Sequence, residues 1–250
     1  MSIDWDAAAY HRLSAPQEAM GLAVLDRLEL AGNETVLDAG CGTGRVTAHL
    51  LERLPHGRVI AVDLSEAMVA EARAFLDGRA DVRQADLLEL SLEEPVDAIV
   101  STATFHWVLD HDRLFERLLA ALTPGGRLVA QCGGRGNIER VLAAAATVAA
   151  EPAYARLFRD FSRPSYFAGP EETARRLGAA GFRDVATWLE ERPILPDDPV
   201  GYLATVTLRT HLARIDESLR RPFAERVTAL LGAPTTLDYV RLNLDARRPF

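Results

Sequence analysis

The chain contains no lysine. All 28 basic residues are arginine, set against 36 acids, and the net charge is −8. The missing lysine reads as a coding bias toward GC-rich DNA. An acidic chain repels phosphate backbones, so nucleic acid is not the expected partner. A local basic patch could still form, for example among Arg175, Arg176, Arg220 and Arg221. The chain has only two cysteines, Cys41 and Cys132. They supply neither a disulfide framework nor the spacing of a metal site, so no metal and a reduced, cytoplasmic setting are expected. Long apolar runs are lacking too. The longest, near 141–150, is alanine-rich and too short to span a bilayer, so no membrane association is expected. The opening MSIDWDAAAY carries acids and no basic stretch followed by an apolar run, so it does not read as a secretory signal. Internal repeats are absent.

What is present suits a globular core. Apolar residues make up 48% of the 250 positions. That length fits a single α/β domain with elaborations, expected over 1–250. A helical segment is expected over 4–30, from Leu22, Leu25, Leu28 and Leu30. Short apolar strands are expected at 35–40, 58–65, within 82–90, and at 96–102 and 126–132. Helices at 44–54, 66–76 (with Ser65 as N-cap) and 112–124 alternate with them. Strands covered on both faces and joined by helices imply right-handed crossovers and a parallel sheet. Ligands of such sheets bind at the carboxyl ends of the strands. The core therefore spans about 33–135. Beyond it, 137–180 reads as mostly helical, broken at 162–170, and 199–231 as helical again. Strand-like alternation over 182–192 and 236–247 suggests an antiparallel edge pair. Residues 136–235 are expected to form a helical cap.

The sharpest motif is VLDAGCGTGR, 36–45. Glycines in the turn leaving a first strand let the backbone approach a ligand closely. The pattern is Gly40, Gly42, Gly44, with the third glycine one residue earlier than a dinucleotide fingerprint requires. Asp63 closes the second strand some twenty residues on, where a carboxylate can accept both hydroxyls of a ribose. Asp86, at the end of the third strand, can accept from an adenine amino group. The plain alternatives are a helix-entry acid and a solvated strand-end acid.

Together these features resemble the class I S-adenosylmethionine-dependent methyltransferases, from Asp38 to Cys132 and including TPGGRL at 123–128. The resemblance implies a Rossmann-like α/β fold: a seven-stranded, mostly parallel sheet of order 3-2-1-4-5-7-6, strand 7 antiparallel, with helical cap insertions. It implies S-adenosylmethionine as cofactor and S-adenosylhomocysteine as product. The cofactor-binding positions it implies are Tyr10, Asp38, Gly40, Cys41 (by its backbone), Gly42, Asp63, Leu64, Met68 near the adenine, Asp86, Leu87 and Ser101.

Four stretches narrow the resemblance to the branch that includes trans-aconitate methyltransferase: WDAAAYHRLSAPQ (5–17), FHWVLDHD (105–112), GGRGN (133–137) and DYVRLNLDAR (238–247). The opening and the HWV stretch are also similar to those of insect juvenile hormone acid methyltransferases. In carboxyl methyltransferases of this kind a glutamine and a tryptophan hold the acceptor carboxylate, which here implies Gln17 and Trp107. Amide and indole N–H groups are uncharged donors that orient a carboxylate and leave a lone pair free. The alternatives are a core aromatic for Trp107 and an exposed helix residue for Gln17. A carboxylate needs no general base. An alcohol or amine would, and His106 is then the candidate. His111 reads as a surface residue, Trp5 and Tyr10 as part of a lid over 1–30, Tyr166 and Phe167 as pocket-lining, and Tyr239 and Arg241 as structural.

The expected activity is O-methylation of the carboxylate of a small organic acid, by a monomer or homodimer acting on a small-molecule acceptor. The alternative is O-, N- or C-methylation of a natural-product hydroxyl, amine or carbon. A non-catalytic cofactor-binding protein or a nicotinamide oxidoreductase is more distant, and the early third glycine argues against the latter.

Overall fold

A computed structural model describes residues 15–250, with side chains from Gln17 onward. Tyr10, Trp5 and most of the expected lid lie outside the described residues.

Seven strands form one sheet in the order β3-β2-β1-β4-β5-β7-β6. They are β1 (Thr35–Ala39), β2 (Arg58–Asp63), β3 (Asp81–Gln84), β4 (Val96–Thr102), β5 (Leu122–Gly133), β6 (Arg183–Glu191) and β7 (Val240–Arg247). β1 to β5 pair in parallel, and β7 runs antiparallel to both β5 and β6. β7 is therefore an interior strand, and only β6 of the expected edge pair lies at the edge. The order and the antiparallel seventh strand agree with the sequence reading.

The apolar strand patterns explain the layering. On β1, Val36 faces a core layer with Val59, Val100 and Leu50, while its neighbour Leu37 faces the opposite layer with Ile60, Ile99 and Phe115. Both sheet faces are covered, as continuous apolar strands require. Helices α1 (Ala15–Leu25), α2 (Arg45–Glu52) and α3 (Glu66–Leu76) cover one face. α4 (His111–Ala121) and α6 (Pro170–Ala180) cover the other. Ser65 caps α3 as expected, its hydroxyl accepting from the Met68 N–H. A third apolar cluster builds the cap from α5 (Glu139–Ala149), the short helices α7 (Pro199–Tyr202) and α8 (Arg209–Leu212), and α9 (Glu217–Leu231).

Several boundaries differ from expectation. α1 ends at Leu25 rather than near 30, because its last turn tightens into bonds from Arg27 N–H to the Val24 carbonyl and Leu28 N–H to the Leu25 carbonyl. α4 stops at Ala121 rather than 124. Thr123 precedes Pro124, which disfavours helical backbone there, and Leu122 already pairs with Val96 of β4. Residues 151–160 are turns rather than helix.

Two polar networks fix α1. Arg27 donates to Asn243 Oδ1 at 2.6 Å, to the Ala130 carbonyl at 2.8 Å and to Asp245 at 3.2 Å, which ties the helix end to β5 and β7. Glu18 bonds both Arg45 and His49 of α2. Gln17, one residue earlier, is thereby held over the carboxyl ends of the strands.

Candidate functional site

The loop Gly40–Gly44 leaves β1 and enters α2. Gly40, Gly42 and Gly44 all have positive φ, where a side chain is strained. The N–H groups of Gly40 and Cys41 donate to the Val62 carbonyl at 2.8 and 2.9 Å. Asp63 then clamps the loop, one oxygen accepting from Gly42 N–H at 3.0 Å and the other from Ser65 N–H at 2.9 Å. Burial raises the Asp63 pKa in spite of those backbone donors. A Cβ on Gly40 would lie 2.1 Å from Thr104 Oγ1, whereas a Cβ on Gly42 would meet nothing within 4 Å. The space in front of Gly42 is open.

The other expected cofactor positions lie on β1, β4 and the segments that follow β2 and β3. Asp38 is buried, accepts from Thr47 Oγ1 at 2.6 Å, and leaves Oδ1 without a partner. Burial pushes its pKa up to about 6, against the Thr47 hydrogen bond. Leu64 is 56% exposed, an unusual position for leucine at the end of a buried strand. Met68 and Leu87 are buried. Asp86 is exposed, and one of its oxygens accepts from Leu88 N–H at 2.9 Å. Ser101 is buried and its hydroxyl donates to the Ala39 carbonyl at 2.6 Å, locking β4 to β1. Cys41 and Cys132 are buried free thiols, with burial raising both pKa values, Cys132 to about 11.

A cavity lies next to Ala103, whose neighbour Thr104 donates to the Gly40 carbonyl. After β4 the chain makes a single turn, Phe105–Trp107, anchored by Phe105 in the core edge-on to Phe115. His111 holds that turn from below, its Nε2 at 3.0 Å from the Phe105 carbonyl. It is buried, not a surface residue as expected, because α4 starts underneath the turn. The turn places His106 and Trp107 in the wall of a cavity also lined by Gln17, Asn137, Arg163, Phe167, Thr207, Tyr239 and Arg241. Gln17 thus meets the adjacent His106 and Trp107, far from it in sequence, around one space. Phe167 lines it as expected. Tyr166 does not: it packs against His111 and donates to Glu172.

The electrostatics of this cavity are one-sided. Arg163 stacks over the rings of Phe167 (5.0 Å) and Trp107 (5.7 Å), and its Nε and Nη1 are buried without hydrogen-bond partners. Burial pushes its pKa down to about 10. Arg241 is buried next to the Tyr239 ring. Among the described residues no carboxylate lines the cavity. His106 Nδ1 accepts from Gly133 N–H at 3.2 Å, and burial, Arg241 and Arg163 hold its pKa well below the usual range. The imidazole is therefore neutral and carries its proton on Nε2. Gln17 Nε2 bonds the Tyr202 hydroxyl, which lies 3.1 Å from that of Tyr239, while Gln17 Oε1 is buried without a partner.

Sequence reasoning missed Arg163 altogether and read Tyr239 and Arg241 as structural, although all three line the cavity. A signal existed for Arg241. It belongs to a row of polar residues, Arg241, Asn243, Asp245 and Arg247, that alternates with apolar ones along the strand.

The chain is similar to known methyltransferases. A family model described as a methyltransferase domain matches residues 36–126. A trans-aconitate 2-methyltransferase of Methylobacterium nodulans is 33% identical over 187 residues, 74% of this chain and 67% of that protein. One from Acidovorax ebreus is 39% identical over 128 residues, about half the length of each chain (51% and 49%). Among solved structures, phosphoethanolamine N-methyltransferase 2 of Haemonchus contortus superposes with a TM-score of 0.64 at 19% identity, covering 98% of this chain and 57% of that one.

Proposed function

The chain belongs to the S-adenosylmethionine-dependent methyltransferases, and on that footing we propose that it methylates the carboxylate of a small organic acid, giving a methyl ester. The observation that carries this reading is the cavity beside the glycine loop, which holds two arginines and several neutral donors but, among the described residues, no carboxylate. In a chain of net charge −8, such a site selects an anion.

The residues fit the cofactor. The open space at Gly42 leaves room for it to approach the loop backbone, Asp63 would accept from the ribose hydroxyls, Leu64 and Met68 would pack on the adenine, and the orphan Oδ1 of Asp38 would take a polar donor. When bound, the cofactor supplies an electrophilic methyl group on a sulfonium. The chain's own residues do the rest. Arg163 holds one acceptor oxygen through its unpartnered N–H groups, and His106 Nε2–H and Trp107 orient the carboxylate. If the Gln17 amide turns by 180°, the Tyr202 hydroxyl donates to Oε1 and the NH₂ group replaces the orphan oxygen as a further donor. An ionised carboxylate attacks without a base, so the protein's contribution is alignment and exclusion of water. A hydroxyl acceptor would need a base, and the one acceptor nitrogen of His106 is already bonded to Gly133.

The test is the pair of variants Gln17→Ala with Trp107→Phe. Carboxyl methylation should be lost while affinity for S-adenosylhomocysteine, measured by calorimetry, stays within about twofold. Full activity in the double variant would refute the reading.

A further inference from the structure

A second cleft opens on the cap. Leu142, Ala146 and Ala149 of α5, with Ala150 at its C-cap, recur at i, i+4, i+7 and i+8 and so share one helix face. That face is not the one buried in the cap, where Val141, Ala144, Ala145 and Val148 lie. The alanine run thus serves two faces, one filled by the core and one left open. Phe158 and Phe161, from the turns after α5, make the opposite wall, and the cleft measures about 490 Å³. That falls within the range of sites for molecules of drug size, about 300–1,000 Å³.

Arg163 lines both this cleft and the cavity that holds His106 and Trp107, so one side chain stands between the two spaces. His211 is the other polar residue of the cleft. It lies 4.5 Å from the Phe161 ring, and burial with the Arg163 charge pushes its pKa down to about 4, so it is neutral. Among the described residues, Arg163 is the cleft's one charge.

We infer that the methyl acceptor is an amphipathic acid whose carboxylate sits in the cavity at Arg163 and whose apolar tail runs past that residue into the α5 cleft. This rests on the carboxylate reading above and adds a substrate class to it. A short polyacid would fill the charged cavity and leave the apolar walls unused. A tail covers Ala146, Ala149, Phe158 and Phe161, and each methylene removed from water there strengthens binding. Full burial of a CH₂ is worth about fourfold in affinity, and an open cleft about twofold.

The experiment uses straight-chain acids from butanoate to dodecanoate, with trans-aconitate and succinate beside them. Two quantities are read: methyl transfer, as kcat/KM, and binding to the protein loaded with S-adenosylhomocysteine, by calorimetry. Affinity should rise about twofold or more per methylene and level off once the cleft is full. Ala146→Phe should lower the decanoate-to-butanoate ratio of kcat/KM at least about tenfold, with the melting temperature as the folding control. A binding series that is flat with chain length, or an unchanged ratio in Ala146→Phe, overturns the inference. Methylation of acids regardless of length would leave the carboxylate reading standing and remove only the tail. A length-dependent binding series with no acid methylated would keep the cleft and remove the carboxylate reading.

Discussion

The backbone N–H of Gly133 donates to Nδ1 of His106 across 3.2 Å, and this single bond decides what the histidine can do. It fixes the tautomer with hydrogen on Nε2, and burial with two nearby arginines keeps the ring neutral. His106 is then a donor to a bound anion rather than a proton acceptor. The pH profile checks this. With its pKa held well below 6.5, kcat for an acid acceptor should be flat between about pH 6.5 and 8.5. A limb near pH 6.5 that disappears in His106→Asn would mean the imidazole accepts a proton during turnover.

The neutral His211 carries a stability consequence. Its pKa is about 4 in the folded chain and near the ordinary 6.5 when unfolded. Between those values the unfolded chain binds a proton that the folded chain does not. Stability from this group is therefore full above pH 6.5 and lost as pH falls toward 4, at about 1.4 kcal/mol per unit. His211→Phe keeps a ring against Phe161 and removes the proton. Denaturant unfolding at pH 7 and 4.5 should show the variant gaining roughly 2–3 kcal/mol on the parent at the lower pH. Parallel losses in both proteins would contradict this.

The glycine loop separates folding from cofactor affinity. Gly40→Ala drives a methyl into Thr104 at positive φ, so it should lower the melting temperature. Gly42→Ala meets only open space and should cost roughly 1 kcal/mol of stability from backbone strain, while it fills the space read as the cofactor's. Asp63→Ala removes both the clamp on Gly42 and the acceptor assigned to the ribose. It should weaken S-adenosylhomocysteine binding by about 1–3 kcal/mol. Unchanged affinity in both Gly42→Ala and Asp63→Ala would show that the loop is not where the cofactor sits.

The sheet and the glycine loop were legible in sequence because they rest on local rules. Apolar runs bounded by glycines gave the strands, Ser65 gave a cap, and Gly40 to Gly44 gave a turn that needs positive φ. Strand order came from the family resemblance, since spacing does not decide which strand neighbours which. The acceptor cavity was legible only in part. His106 and Trp107 stand in one short motif, but Arg163 lies in an irregular segment whose position depends on how the cap packs. His111 misled because a polar residue at a helix start is usually solvated. Here α4 begins beneath the Phe105 turn, and the ring bonds its carbonyl.

The central claim is that the methyl group ends on a carboxylate oxygen. The direct measurement is transfer of labelled methyl from S-adenosylmethionine to a mixed panel of acids, alcohols and amines, followed by mild base. Label should be released as volatile methanol, the signature of a methyl ester. Label retained on the product after base would contradict it and place the methyl group on a hydroxyl, nitrogen or carbon.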